Sequence, residues 1–213
     1  MPVTTQSATI QPDATTSVTI PPAQPQPEVL AFLTSRRSRP ARTLTLPVPT
    51  RDQLLPILTA AVRVPDHGKL EPWRLIVLER PVLSRLAHLA GERGQALGLA
   101  ADVQAKGVAQ FTDSNLAIAV VKCPRSTEKI AEIEQVLSVG AVCISLLNAA
   151  LAAGWGANWL TGWAVEDAAF REQGLGLLPG EWVAGLIHVG TEGAVPPERP
   201  RPDLGHVVTW VKA

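Results

Sequence analysis

Four short segments gather residue types that can do chemistry. In Arg36-Arg37-Ser38-Arg39 several guanidiniums and a hydroxyl stand at the end of a short helical pattern. Arginine makes bidentate, charge-assisted bonds to phosphate, so the segment suits a phosphate group. It equally suits a solvated basic terminus that offsets the helix dipole. The second segment, Pro65-Asp66-His67-Gly68-Lys69-Leu70-Glu71-Pro72-Trp73, is a proline-bounded loop opening an apolar run. It offers His67, Lys69 and Glu71 to a pocket, or simply to solvent. In the third, Gly154 to Trp163, small residues let backbone approach a flat ligand. Its tryptophans either stack on an aromatic ring or fill the core. The fourth, Arg199-Pro200-Arg201-Pro202, holds two arginines on stiff backbone: a phosphate clamp or an ordinary tail.

The elements that position these segments follow from periodicity. Val29, Phe32, Leu33 and Arg36 predict a helix running into the basic segment, with Pro40 as its stop. Thr50 and Gln53 form a capping-box pattern for a helix to about Val64. Trp73 to Leu78 reads as a strand, 81–97 as a helix, and 98–111 as a mobile helix-loop. Leu116 to Val121 is an apolar strand. A long helix is expected from about Thr127 to Ala153, closed by Gly154 as the C′ residue. A strand to Leu160, a helix over 166–173, a strand over 182–190 and an extended piece over 207–211 complete the chain. No GxGxxG follows the first strand, so a nucleotide is not held in the doubly wound manner.

Composition narrows the classes. The chain is 46% hydrophobic, enough for one domain with a sizeable core. Its formal net charge is zero, which argues against a nucleic-acid binder. Cys123 and Cys143 sit in apolar contexts without metal-type spacing and read as buried thiols in a reducing cytoplasm. Residues 1–27, rich in Thr, Gln, Ser and Pro, read as a loosely attached arm preceding a domain over 28–213. The stretch from Gln135 to Val165 holds no charged residue. Its length raises the question of a membrane span, but Ser138, Gly140, Ser145 and Asn148 interrupt it, and a helix buried all round in a core or dimer interface fits better.

Taken in order, the four segments resemble the binding set of the nitroreductase family, in its short, single-domain bacterial branch. The matching pieces are Arg-Arg-Ser at 36–38, Pro-Asp-His…Pro-Trp at 65–73, Gly-x-Gly…Trp-x-x-Gly at 154–162, and Gly-Thr at 190–191 followed by Arg-Pro-Arg-Pro. The resemblance implies an α+β fold: a mixed, mainly antiparallel sheet wrapped by helices, with the long helix at a homodimer interface. It also implies FMN at that interface and NAD(P)H as co-substrate. Arg36 and Ser38 match positions that bind the FMN phosphate and ribityl end, and Arg37 between them matches a flavin-contacting position. His67 and Glu71 match positions that reach the flavin from the partner subunit. Leu160, Thr161 and Gly162 match the segment passing the isoalloxazine. Arg199 and Arg201 match C-terminal basic residues near the phosphate, Arg201 the better fit. Relatives carry an amide where Glu71 stands and a polar or basic residue where Leu160 stands. These departures bear on substrate and flavin potential. The implied activity is hydride transfer from NAD(P)H through flavin N5 to a nitroaromatic, quinone or similar acceptor, with no catalytic side chain and no metal. A non-catalytic FMN-binding sensor, a reductive dehalogenase and a flavin-fragmenting enzyme are the alternatives.

Overall fold

The computed structural model describes residues 20–212. Of the expected arm, 1–19 lies outside the described residues, and 20–26 is exposed and without helix or strand. Helix α1 (Pro27–Ser35) begins on proline, whose fixed φ and missing N–H suit a first turn. It buries none of its residues, and Val29, Leu30 and Leu33 face out. Arg36 already turns extended at ψ 144°, so the helix stops before Pro40 can stop it. A 3-10 turn at Ala41–Thr43 leads into β1 (Leu44–Thr45), a strand too short for periodicity to reveal. Helix α2 (Arg51–Ala61) starts with the expected capping box: Thr50 Oγ1 accepts from Gln53 N–H, and Gln53 Oε1 accepts from Thr50 N–H. It buries Leu54, Ile57 and Ala61 and ends three residues before Val64.

Strand β2 (Trp73–Glu79) runs directly into α3 (Arg80–Ala96). The segment expected to be a mobile helix-loop is instead a regular helix, α4 (Ala101–Thr112), packed on α3. Its Phe111 is fully buried, with its ring 5.3 Å from that of Phe170. The Trp163 indole lies across Gly107 and donates to Val103 O at 3.0 Å, pinning the helix. Strand β3 (Leu116–Lys122) is buried along its whole length. Helix α5 (Glu132–Ala152) begins five residues later than predicted, with Glu132 and Glu134 in the first turn where the helix dipole favours acids. It ends as expected. Trp155 N–H reaches Ala150 O and Gly154 N–H reaches Leu151 O, both at 3.0 Å, with Gly154 at φ +85°. By length and composition α5 could cross a bilayer, yet its inner face is buried in this domain through Val139, Val142, Cys143 and Leu146.

Strand β4 (Gly156–Leu160) is followed by two short helices rather than one, α6 (Trp163–Glu166) and α7 (Ala168–Leu175). Asp167 divides them. It caps α7 by accepting from Phe170 N–H and is held by two bonds from Arg93, at 2.7 and 3.2 Å. Strand β5 (Trp182–Glu192) leads to an exposed tail. There α8 (Leu204–Val207) ends on the first residue of the stretch expected to be extended, and 208–211 follows it without pairing as a strand.

The strands form one sheet in the order β1-β5-β3-β2, with β4 also paired to β5. Every described pairing is antiparallel, so the mainly antiparallel expectation stands without a parallel member among the described residues. One face packs on α3, α4, α6 and α7, and the other on α2 and α5. A bidentate Arg74–Glu181 pair, 2.8–2.9 Å, ties β2 to the turn before β5. That pair holds the Glu181 carboxyl down at about 2. Both cysteines are free and buried, and burial pushes their thiols up, to about 11 for Cys123 and about 12 for Cys143.

A methyl group at residue 107 would overlap the Trp163 ring. Gly107→Ala is expected to cost about 1–3 kcal/mol of stability as an overpacking change. A thermal melt with an unchanged midpoint would show that α4 is not pinned in this way.

Candidate functional site

The basic segment is held at one side of the sheet by its backbone. Arg39 N–H donates to Ala157 O at 2.8 Å, and Asn158 Nδ2 donates to Arg39 O at 2.9 Å. Residues 36–42 are thereby tied to β4 and run beside it. Strand β4 then ends at Leu160, whose neighbours Thr161 and Gly162 leave the sheet in extended backbone.

At one end of this run lies a cluster of cations. The Arg36 guanidinium is pushed below its ordinary range, first by burial and then by repulsion from Arg201, Arg37 and Arg39. Arg36 Nη2 donates to Ser38 Oγ at 3.1 Å, while its Nε is buried without a hydrogen-bond partner among the described residues. Few acids answer the cluster. Glu192 takes Arg39 at 2.7 Å, and Glu198 takes Arg201 at 2.8 Å and approaches Arg37 at 3.9 Å. Arg37 also donates to Pro197 O. Four guanidiniums converging with one donor unused make a site complementary to a multiply charged oxyanion. The fold thus brings Arg36, Arg37, Ser38 and Arg201 together across some 165 residues of chain (201 minus 36). Arg199 does not enter Arg36's field; only its backbone N–H is engaged, by Glu198 at 2.9 Å.

At the other end is a cleft of about 440 Å³ lined by Ala41, Arg42, Gln110, Ser114, Leu160, Thr161 and His188, among others. Two polar groups in its lining lack partners among the described residues: Gln110 Nε2 and His188 Nε2. A buried polar group left unpaired costs about 1–3 kcal/mol. Burial holds the His188 imidazole down at about 4, so it is neutral at physiological pH. Neither residue was anticipated from sequence. Gln110 lay in the stretch read as mobile. His188 carried a legible signal, a lone imidazole in the otherwise apolar run Val183–Val189.

The protomer does not bring His67 and Glu71 to this place. Both belong to a turn on the far side of β2, next to the N-terminus of α5. There His67 Nδ1 lies 2.7 Å from Glu134, and Glu71 O accepts from Arg125. Glu71 takes φ +46° and is held there by Asp66, which accepts from its N–H. The tryptophans of the third segment serve packing. Trp159 covers Gly185 and donates to Ala184 O, and Trp163 pins α4. Among the described residues, no group of three His, Cys, Asp or Glu side chains is placed to hold a metal.

An α+β domain with this sheet order, a long apolar helix on one face and a basic groove beside β4 matches a known class. The nitroreductase family model fits residues 33–191. A Haemophilus influenzae protein provisionally named an NAD(P)H nitroreductase is 34% identical over 165 residues, covering 77% of this chain and 88% of its own. YdjA of Escherichia coli K12, which carries the same provisional name, is 32% identical over 171 residues with the same coverage. The chain belongs to the nitroreductase family. Solved structures agree on the fold. A nitroreductase-like protein from Bacillus cereus superposes with a TM-score of 0.68 at 21% identity, over 90% of this chain and 100% of that one. A protein of the same kind from Desulfovibrio desulfuricans, crystallised with FMN, gives 0.68 at 21% identity, over 89% and 99%.

Neutral His188 links the cleft to stability. Its folded pKa is depressed, so the unfolded chain takes up the proton first as pH falls. Stability is therefore lost from about pH 6.5 down to about 4, the two values between which the group titrates. The loss approaches about 3 kcal/mol. Urea midpoints measured across that range in the parent and in His188→Gln should diverge in this window. Parallel curves would place the imidazole in a solvated environment.

Proposed function

We propose that the protein is a homodimeric, FMN-dependent NAD(P)H oxidoreductase that reduces small acceptors such as nitroaromatics or quinones. The observation that carries this reading is the cluster of Arg36, Arg37, Arg39 and Arg201, with an unpaired buried Nε, beside a cleft walled by the backbone of β4. The cluster fits the phosphate and ribityl end of FMN, with Ser38 Oγ beside Arg36. Leu160, Thr161 and Gly162 would flank the flavin ring. Gly162 lets the backbone come close, and a side chain there would require the Gln110 amide to shift. FMN, when bound, supplies the two-electron chemistry, accepting hydride from a nicotinamide and passing reducing equivalents to an acceptor. The residues of this chain would hold the phosphate and fix the ring plane along β4, in a cleft whose lining also carries Arg42, Lys106 and Asp113. Relatives of 32–34% identity named for NAD(P)H and a fold neighbour bound to FMN support the assignment.

The dimer in this reading rests on apolar surface that the protomer leaves open. α5 turns Ile133, Leu137 and Ile144 outward, at 60, 65 and 39% exposure, and α1 adds Val29, Leu30 and Leu33. Exposed apolar side chains of that kind suit an association surface. Its lack of charge matches a helix buried on both sides in a dimer. In the dimer His67 and Glu71 would approach the flavin of the partner. The protein would then work as a soluble cytoplasmic enzyme.

Protein reconstituted with FMN should be yellow and should bleach quickly under anaerobic NADH or NADPH. Flavin that stays oxidised would favour a sensor, and no bound flavin would overturn the reading. Arg36→Ala should weaken FMN binding by about 1.5–3 kcal/mol, read as a fluorescence titration. Unaltered affinity would remove Arg36 from the phosphate site. Leu137→Arg should convert the species seen by sedimentation velocity from dimer to monomer. A parent that already sediments as a monomer would refute the interface.

A further inference from the structure

The reading above gives the phosphate and ring of FMN to the basic cluster and to β4, and leaves the opposite wall of the cleft without a role. That wall is one face of α4. Lys106, Ala109, Gln110 and Asp113 recur at spacings of three and four residues, and all four line the cleft. The middle of this face is uncharged and its ends are not. Lys106 and Asp113 stand about 10 Å apart along the helix. Depth separates the lining as well: Ser114 and His188 are buried, whereas Arg42, Lys106 and Asp113 are exposed. Charge is therefore confined to the mouth.

The cations of the mouth are poorly answered. Arg42 stands on a fixed turn: Thr43 N–H donates to Pro40 O at 2.9 Å, and Gly193 N–H donates to Thr43 O at 3.0 Å. Yet the ion pairs that arginines form among the described residues engage Arg37, Arg39, Arg74, Arg93 and Arg201, and leave Arg42 out. Lys106 meets Asp102 at 3.5 Å, with the two side chains 80 and 71% exposed. A contact of that kind adds little and is easily exchanged for another. Asp113, the single acid of the lining, accepts from the Thr112 hydroxyl at 3.3 Å. The lining thus carries two cations and one acid in a chain whose formal net charge is zero. The positive excess is local to the cleft and not a property of the whole surface.

We propose that Arg42 and Lys106 make the cleft selective for acceptors that carry an anionic substituent, such as the carboxylate of a nitrobenzoate, and that Asp113 turns this substituent toward the Lys106 end. The inference rests on the oxidoreductase reading and narrows its substrate class. With the flavin ring along β4, an acceptor ring lies between it and the α4 face, its reducible group inward and its carboxylate at the mouth. Gln110 and Lys106 are one helical turn apart, about 6 Å, a span that a single benzene ring with its substituents covers. NAD(P)H supplies the hydride and solvent the proton that take the nitro group to nitroso and water. The carboxylate is a handle and is unchanged. Exposed cations orient a ligand more than they hold it, so their effect falls on the choice among acceptors of one shape. The extra phosphate of NADPH is the competing anion.

The test titrates benzoate and benzamide, two ligands of one shape, into FMN-loaded protein and reads the change in flavin absorbance. The parent should prefer benzoate by at least about threefold. In the variant carrying both Arg42→Gln and Lys106→Gln that preference should vanish. Its ratio of kcat/KM for 4-nitrobenzoate over 4-nitrobenzamide should fall by a similar factor. Asp113→Asn should widen the preference. A parent that binds both ligands equally, a double variant that discriminates as the parent does, or a narrower preference in Asp113→Asn overturns the proposal. If the double variant keeps the benzoate preference but its flavin is bleached more slowly by NADPH relative to NADH, the cations read the cofactor's phosphate and the acceptor assignment is wrong. Failure of FMN to bind the parent removes the oxidoreductase reading as well, whereas a yellow, reducible protein without the preference sinks this inference alone. Should the double variant lose its flavin, the parent decides by salt. The benzoate preference must shrink as ionic strength rises while benzamide affinity holds, and a salt-independent preference overturns the assignment.

Discussion

Strand β5 hydrogen-bonds to β1, β3 and β4, and each part of the candidate site hangs from one of those ladders. Past an irregularity at Ala184 its residues divide between two cores, Leu186 toward α3, α4, α6 and α7, and Ile187 and Val189 toward α2 and α5. A strand covered on both faces cannot slip by one residue without turning one core's side chains into the other. That constraint sets the depth of His188, the register of Asn158 opposite it, and through Asn158 the position of the basic segment. The glycines along it are part of the same device. Gly185 lies under the Trp159 indole and Gly190 under the β1 backbone, so both partner strands come close enough to build a groove between them.

Within that frame the molecule tolerates local unfavourable terms where a ligand would relieve them. Guanidiniums of Arg36, Arg37, Arg39 and Arg201 crowd one another, and an Nε and two cleft nitrogens are buried unpaired. Elsewhere, Asn148 Oδ1 on α5 apart, the buried polar groups of the described residues are matched. Glu181 is met by Arg74, Cys123 and Leu178 N–H, Lys122 by Glu132, and Gln135 by both backbone groups of Arg125. The contrast separates structural polar groups, which are satisfied by their own chain, from those arranged for something the chain does not itself supply. The apolar outer faces of α1 and α5 are the surface on which the proposed dimer rests.

Much of the fold was legible because its signals are local. The capping box of α2 depends only on Thr50 and Gln53, and the Gly154 terminus of α5 on one left-handed residue. The all-apolar run of β3 needs nothing but its own composition to announce a buried strand. The misreadings fall where a distant residue decides. Residues 98–111 have weak periodicity, and it is Trp163, more than fifty positions away, that makes α4 rigid. The break between α6 and α7 is set by Asp167 under the pull of Arg93. The two-residue β1 exists only because β5 offers it an edge.

The same division runs through the site. Sequence alone determined which residues carry positive charge and hydroxyls, that no charged side chain lies between Gln135 and Val165, and that the segments occur in the order of a nitroreductase. These are properties of residue identity and spacing along the chain. Tertiary structure decided that Arg201 rather than Arg199 joins Arg36, that the tryptophans of the third segment pack instead of lining the cleft, and that Gln110 and His188 sit in its lining without partners. It also set His67 and Glu71 apart from the groove of their own protomer. Burial, desolvation and the direction of a side chain depend on what the rest of the fold places against it. For a single cleft that information comes from α4, β4 and β5 together, and no one of those segments contains it.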